Sequence, residues 1–232
     1  MTSSIDLIEE YILEKYDRDG HHDGRLSDIA YEWLKEAILV LDVRSGDPVS
    51  ESRLSEIFQI SRTPIRTAVE KLAQEDLLQV IPGRAVVIAS RSANQIYDAM
   101  NVRILLEPEM FRLTTMSMTD EDRERFGELT NQLEKAYEDD DRPAWAKVDI
   151  AWHTLLSELC PNKLLGKMVL EAFNHMRLQG VIRYISNEML LPGTREHREI
   201  ADAIIAGEGE RVKSTVLDHL KSARDRMFRS IA

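Results

Sequence analysis

The stretch Ile60-Ser61-Arg62-Thr63-Pro64-Ile65-Arg66-Thr67-Ala68-Val69-Glu70-Lys71-Leu72 (ISRTPIRTAVEKL) decides how the chain is read. Ile65, Val69 and Leu72 recur at helical spacing and make one apolar face. Arg62 and Arg66 lie four residues apart, so on a helix they project from the same side, beside Thr63 and Thr67. Ser61 stands where an N-cap is expected, and Pro64 falls in the first turn, where proline is tolerated. The two arginines are either solvated charges on a short helix or base readers of a DNA-binding helix. Arginine bidentate to guanine is the commonest specific contact to a base.

The flanking sequence favours the second alternative. Leu26, Ile29, Ala30, Trp33, Leu34, Ala37, Ile38 and Leu41 follow the pattern of a helix with one buried face. Ser45-Gly46-Asp47-Pro48 stops it. Ser50 can cap a second short helix through Phe58, and the helix opened by Ser61 runs to about Glu75. LLQVI and AVVIA then read as two strands around a turn at Pro82-Gly83. Three helices and a hairpin make a winged helix-turn-helix. In such a module Ser61 and Thr63 are placed to bond phosphate at a helix N-terminus. Arg84, at the hairpin tip, suits a wing that enters the minor groove.

Composition neither forbids nor requires this. The 232 residues are 43% hydrophobic and 31% charged, as expected for one or two globular domains. A formal net charge of −11 argues on its own against nucleic acid. Between Ser50 and Arg91, however, the bases Arg53, Arg62, Arg66, Lys71, Arg84 and Arg91 roughly balance Glu51, Glu56, Glu70, Glu75 and Asp76. The acidity lies elsewhere. There is no apolar run of the roughly 18 residues that a membrane span needs, and MTSSIDLIEEY lacks the basic flank of a signal peptide. A single cysteine, Cys160, excludes an internal disulfide. Together these predict a cytoplasmic protein with no membrane partner.

Residues 1–24 read as an N-terminal tail in which Ile5, Ile8 and Ile12 form one short amphipathic helix. His21 and His22 belong to that tail. After Arg91 the strand signals stop. Six helices are predicted, over 92–117, 119–139, 142–160, 162–190, 194–206 and 208–231, punctuated by Pro161, Pro192-Gly193 and Gly207-Glu208-Gly209. Short connections favour antiparallel neighbours. The fold class is therefore mainly α: a winged helix-turn-helix followed by an all-α antiparallel helical bundle.

Polar residues interrupt the apolar stripes of that bundle. Asp149, Trp152, His153 and Leu156 share one face, His197 heads a stripe with Ile200, Ala201 and Ile204, and His219 lies among Val212, Val216 and Leu220. A lone inward histidine is ordinarily a hydrogen-bonded core residue, and an inward aspartate is costly unless paired. Three histidines and one aspartate from three helices are better explained by a shared divalent cation, since imidazole suits zinc, nickel, copper or iron. Arg103 sits on the inward stripe of its helix with Met100, Leu106 and Met110. It either meets an anionic ligand or pairs with Glu107. Asn174 and Arg177 are further candidates to line a cavity. His175 reads as a surface residue or one just behind the site, and the methionines of the fourth bundle helix as core.

These residues carry two resemblances. VSESRLSEIFQISRTPIRTAVEKLAQEDLLQVIPGRAVVIA looks like the DNA-binding domain of the GntR family of bacterial transcription regulators, most specifically at Ser61-Arg62-Thr63-Pro64-Ile65-Arg66. Gln59, Asp76 and Ala85 stand where that family usually has glycine. Ser52 occupies the place of a DNA-contacting arginine of some members, with Arg53 next to it. Residues 92–232 resemble the FCD effector-binding domain of the FadR-type branch. Asp149, His153, His197 and His219 match the ligand set of its metal-containing members, and Val102 to Pro108 (VRILLEP) its first helix. The resemblance implies a homodimer on a short pseudo-palindromic double-stranded DNA operator, read by Arg62 and Arg66. It also implies a divalent metal, zinc or nickel, beside a cavity for a small organic acid. The domains are then 1–24, 25–90 for DNA binding and 91–232 for effector binding and dimerisation.

The function expected is a repressor whose operator affinity is set by a small carboxylate bound beside the metal. An alternative makes the metal itself the signal. A metal-dependent enzyme fused to a DNA-binding domain is disfavoured: there is no His-Glu-x-x-His motif, nucleophile elbow or Gly-rich phosphate loop. Glu196, the one obvious base candidate, is adjacent to His197 and is expected to point away.

Overall fold

The computed structural model describes residues 3–19, 24–41, 43–81, 85–177 and 187–229, with backbone alone at 17–19, 177, 187–189 and 228–229. The chain divides near Ser92 and Ala93 into two compact units. Among the described residues no helix is long and apolar enough to cross a membrane.

The N-terminal unit holds α1 (Ser4–Asp19), α2 (Leu26–Val40), α3 (Glu51–Ile57), α4 (Arg62–Gln74) and an antiparallel hairpin, β1 (Leu78–Ile81) with β2 (Ala85–Ile88). The periodic apolar residues form its core: Trp33, Leu34, Ile38, Leu54, Ile65, Val69 and Leu72 are buried. Ser50 caps α3 by accepting from the Arg53 N–H. Ser61 takes the extended N-cap conformation of α4, but its hydroxyl makes no capping bond. Gln59 and Asp76 hold φ of 52° and 55°. These are two of the positions where glycine was expected, so the left-handed backbone persists without the residue that adopts it most readily, at a cost of roughly 1–2 kcal/mol each. The segment around Pro48, foreseen only as a helix stop, pairs with β2: the Val49 N–H donates to the Val86 carbonyl and the Ile88 N–H to that of Asp47.

Within the expected N-terminal tail, the helix Ser4–Asp19 is packed rather than loose. Ile8 and Ile12 of α1 are fully buried. Tyr16 meets Trp33 edge-on, with centroids 4.7 Å apart, and its hydroxyl donates to the Phe58 carbonyl. Ser4 donates its hydroxyl to Asp47 at 2.7 Å and accepts the Arg44 N–H. Spacing of Ile5, Ile8 and Ile12 located the helix. It could not reveal the apolar groove waiting for it.

The second unit is a bundle of α5 (Ala93–Ser117), α6 (Asp120–Glu138), α7 (Arg142–Leu159), α8 (Lys163–Arg177), α9 (Asn187–Ile205) and α10 (Gly209–Arg229). Helix α10 packs along α5, α6 against α7, and α9 against both α6 and α10. A capping box at Thr119 and Asp122 starts α6, and Asp141 caps α7. The expected break at Pro192-Gly193 does not occur: both residues lie inside α9. The proline costs that helix one donor, which its length and packing outweigh. The helix expected over 162–190 is described only to Arg177, and 187–190 belong to α9.

Ile12→Ala should lower the unfolding free energy of the full chain by about 2–5 kcal/mol, the usual cost of emptying a buried isoleucine site. Urea denaturation followed by circular dichroism measures this. A change within about 0.5 kcal/mol, the range of surface substitutions, would mean that α1 is only loosely laid on the unit.

Candidate metal centre and nucleic-acid interface

Helix α4 separates its two faces as its sequence requires. Ile65, Ala68, Val69 and Leu72 are buried, while Ser61, Arg62, Thr63, Arg66 and Thr67 are exposed. Arg62 has no ion pair among the described residues. Arg66 makes one contact, to Glu70 at 3.2 Å, with both side chains more than half exposed. Such pairs contribute little, so exchanging this partner for a base edge costs little. Arg53 differs: it bridges Glu56 at 3.1 Å and Glu9 of α1 at 2.5 Å. That ties it to the scaffold. Arg84 lies outside the described residues.

In the bundle the candidate ligands come from three helices. Asp149 and His153 share one face of α7, His197 is on α9 and His219 on α10, and all four are buried. Two tryptophans set the α7 position. The Trp152 indole N–H donates to Thr130 of α6 at 3.1 Å, and that of Trp145 to Thr194 of α9 at 3.0 Å. Thr194 is one turn before His197, so this bond fixes which α9 residue faces Asp149. Asp149, His153 and His197 form a group whose ligand atoms lie within 4.8 Å of one another. His219 stands beside that group, its ring 4.9 Å from that of His197.

Each imidazole has its Nδ1 at an acceptor. The His197 Nδ1 lies 2.7 Å from the Gly193 carbonyl, which can only accept, so Nδ1 carries the proton. The His219 Nδ1 lies 2.7 Å from Glu196 Oε2 and the His153 Nδ1 3.3 Å from Glu107 Oε1. This leaves the Nε2 atoms for ligation. His197 Nε2 is buried without a hydrogen-bond partner, 3.2 Å from Asp149 Oδ1, and His153 Nε2 is 3.7 Å from that same oxygen. A nitrogen lone pair and a carboxylate oxygen repel at such range unless a cation lies between them. A proton can bridge two of these atoms. A metal ion can use all three, so the donor set fits a divalent cation.

The electrostatics agree. Burial pushes the His153 imidazole below its ordinary range despite Glu107, and pushes His219 down to about 4 despite Glu196. Both are neutral near pH 7, the state that ligates a metal. Burial favours the neutral form of Glu107, but Arg103, with two hydrogen bonds of 2.5 and 2.9 Å, holds it well below the usual carboxylate range. Burial likewise raises Glu196, and Arg226 and His219 outweigh it, bringing it to about 2.

Several expectations change. Glu196 does not point away; it faces α10 and bonds both His219 and Arg226, because it lies about 100° around α9 from His197. Arg103 is buried in the internal pair with Glu107, its Nη1 3.5 Å from the Met176 sulfur and its guanidinium over the Phe173 ring. Asn174 is buried with no hydrogen-bond partner for Oδ1. The Arg177 side chain and His21 and His22 lie outside the described residues, and His175 is half-buried. Sequence reasoning missed Glu107 and Glu196 as histidine partners. Their signal, an acid four residues after Arg103 and another beside His197, is too common to single them out.

Comparison with known proteins gives two family matches. Residues 98–222 match the FCD domain, more than half of the chain, and residues 26–88 match the bacterial regulatory proteins of the gntR family. The HTH-type transcriptional repressor RspR of Escherichia coli (strain K12) is 26% identical over 194 residues, covering 82% of this chain and 84% of that protein. The HTH-type transcriptional regulator LutR of Bacillus subtilis (strain 168) is 25% identical over 207 residues, covering 79% and 93%. Among solved structures, E. coli McbR/YncC superposes with a TM-score of 0.81 at 18% identity, covering 90% of this chain and all of that one, a likeness of fold.

Glu107→Gln should destabilise the chain by about 3–5 kcal/mol, because it leaves the Arg103 guanidinium buried without its anion. Denaturation in the presence of a chelator isolates this effect from metal. Stability within about 1 kcal/mol of the parent would show that the pair is not held as described.

Proposed function

Because the chain belongs to the FCD family, with a gntR-type DNA-binding domain ahead of it, we propose that this transcriptional regulator is a repressor. Its operator grip is set by a small carboxylate bound beside a divalent metal, zinc or nickel. Asp149, His153, His197 and His219 hold the ion. Arg62 and Arg66 read bases, Ser61 and Thr63 meet phosphate, and a homodimer presents two such helices to a short pseudo-palindrome. Arg53 and Arg84 remain proposed accessory contacts, with Arg53 first having to leave Glu9.

The observation that carries the reading is the His197 Nε2, buried without a hydrogen-bond partner and facing the Asp149 carboxylate at 3.2 Å. The charge around it supports the class of effector. Glu107 and Glu196 each have their own guanidinium, Arg103 and Arg226. A dication beside one further carboxylate and neutral imidazoles therefore leaves the site net positive, which suits a small organic acid. Arg103 Nη1, which meets the weak Met176 sulfur acceptor, the Asn174 amide and Arg177 are the proposed contacts to it. Ligand binding then redistributes two arrangements of the DNA-reading units, and its effect is limited to its differential affinity for them.

Arg66→Ala should weaken specific operator binding by about 1–3 kcal/mol while leaving metal content intact. His197→Ala should lower metal content and abolish the response to organic acids while leaving operator binding in place. Gel-shift titration with candidate acids and elemental analysis read the two effects separately. Operator affinity of Arg66→Ala equal to the parent's would remove α4 as the reading helix. A parent protein that takes up no metal would remove the ligand set.

A further inference from the structure

We propose that Glu196 is the positioning residue for His219, committing its Nε2 to the ion, and that Arg226 holds Glu196 in that role. The inference rests on the reading that Asp149, His153, His197 and His219 bind a divalent cation.

The three residues Asp149, His153 and His197 form the tight group, and His219 lies just beyond it. It is the ligand candidate with the greatest need of a guide. On α10, His219, Ser222 and Arg226 fall three and four residues apart, so they make one polar stripe on an otherwise apolar face. His219 and Arg226 converge on Glu196 of α9, and Ser222 braces Arg226. Oε2 receives the His219 Nδ1 at 2.7 Å and Arg226 Nη2 at 2.7 Å; Oε1 receives Arg226 Nη1 at 2.7 Å, and that Nη1 also contacts the Ser222 hydroxyl. A carboxylate on Nδ1 fixes the ring's tautomer and orientation and makes Nε2 the better donor. Removing such a partner ordinarily costs 10–100-fold in metal affinity. The same helix carries a contrasting pair. Arg198 binds Glu134 of α6 through Nε at 2.8 Å and through Nη2, with no histidine involved. That pair is a bridge between helices, and the two pairs separate guidance of a ligand from simple helix tethering.

The test compares Glu196→Ala, Glu196→Gln, Arg226→Gln and Glu134→Ala in the full chain. Zinc affinity is measured by competition with a chromophoric chelator, and the His219 tautomer by long-range ¹H–¹⁵N correlation in the metal-free protein. Expected are a loss of zinc affinity of about 10–100-fold in Glu196→Ala, a smaller loss in Glu196→Gln, whose amide oxygen still accepts, and a parent-like Glu134→Ala. The parent's His219 should be the Nδ1–H tautomer, and Glu196→Ala should lose that preference. Should Glu196→Ala not fold, Glu196→Gln and Arg226→Gln carry the test, both expected to weaken zinc measurably. Less than about tenfold loss in a folded Glu196→Ala, no loss in either substitute, or an equal loss in Glu134→Ala overturns the proposal. If the parent itself binds no zinc, the metal reading fails, and the tautomer measurement still judges whether Glu196 governs His219.

Discussion

A carboxylate facing two imidazole nitrogens inside an apolar bundle is the constraint on which the C-terminal unit turns. An anion withdrawn from water is tolerated only with compensation, and each compensating group needs its own support. That requirement propagates outward. His153 leans on Glu107 and Glu107 on Arg103; His219 leans on Glu196 and Glu196 on Arg226; His197 leans on the Gly193 carbonyl of its own helix. All six bundle helices supply or brace the constellation: α5, α7, α9 and α10 through these groups, α6 through Thr130 beneath Trp152, and α8 through Phe173 against the His153 ring. Phe111, Phe126 and Trp152 fill the space around them. Polar residues inside this bundle are thus not exceptions to its packing but the reason its helices keep their register.

The N-terminal unit is organised by a different need. The proposed reading helix, α4, offers cations to solvent while the protein as a whole is acidic. The unit meets this by leaving Arg62 and Arg66 on the open face of α4 and binding other bases to acids elsewhere: Arg53 to Glu9 and Glu56, Lys35 to Glu75, Lys71 to Asp28. The added helix α1 takes part in this sorting as well as in the core.

Much of this was legible in the sequence, for physical reasons that differ by element. Helices with one apolar stripe show themselves by period, as α2 does, and caps and prolines add the ends, as at Ser61 and Pro64 of α4 and Pro161 after α7. Hairpin strands flanking Pro82-Gly83 were equally plain. Asp149 and His153 were found because polar residues on a buried stripe are expensive. Reading failed where the decisive fact was long-range. The burial of α1 depends on a groove made by α2 and α3. The direction of Glu196 depends on α10, thirty residues away. Pro192-Gly193 looked like a stop because local propensity is only a weak prior against tertiary packing. Arg103 was ambiguous for another reason: both alternatives use the same inward face, and only the position of Glu107 separates them.

Trp152 has a consequence of its own. Its indole lies edge-on to His153 and His197, with centroids 4.9 and 4.7 Å away, while Trp145 is 6.2 Å from His197 and Trp33 belongs to the other unit. Indole emission is sensitive to the charge and ligation of an imidazole in van der Waals contact with it. The molecule therefore carries a native optical reporter at the centre of the bundle and an internal reference chromophore outside it. Events at the histidines can be followed by light in the unlabelled protein.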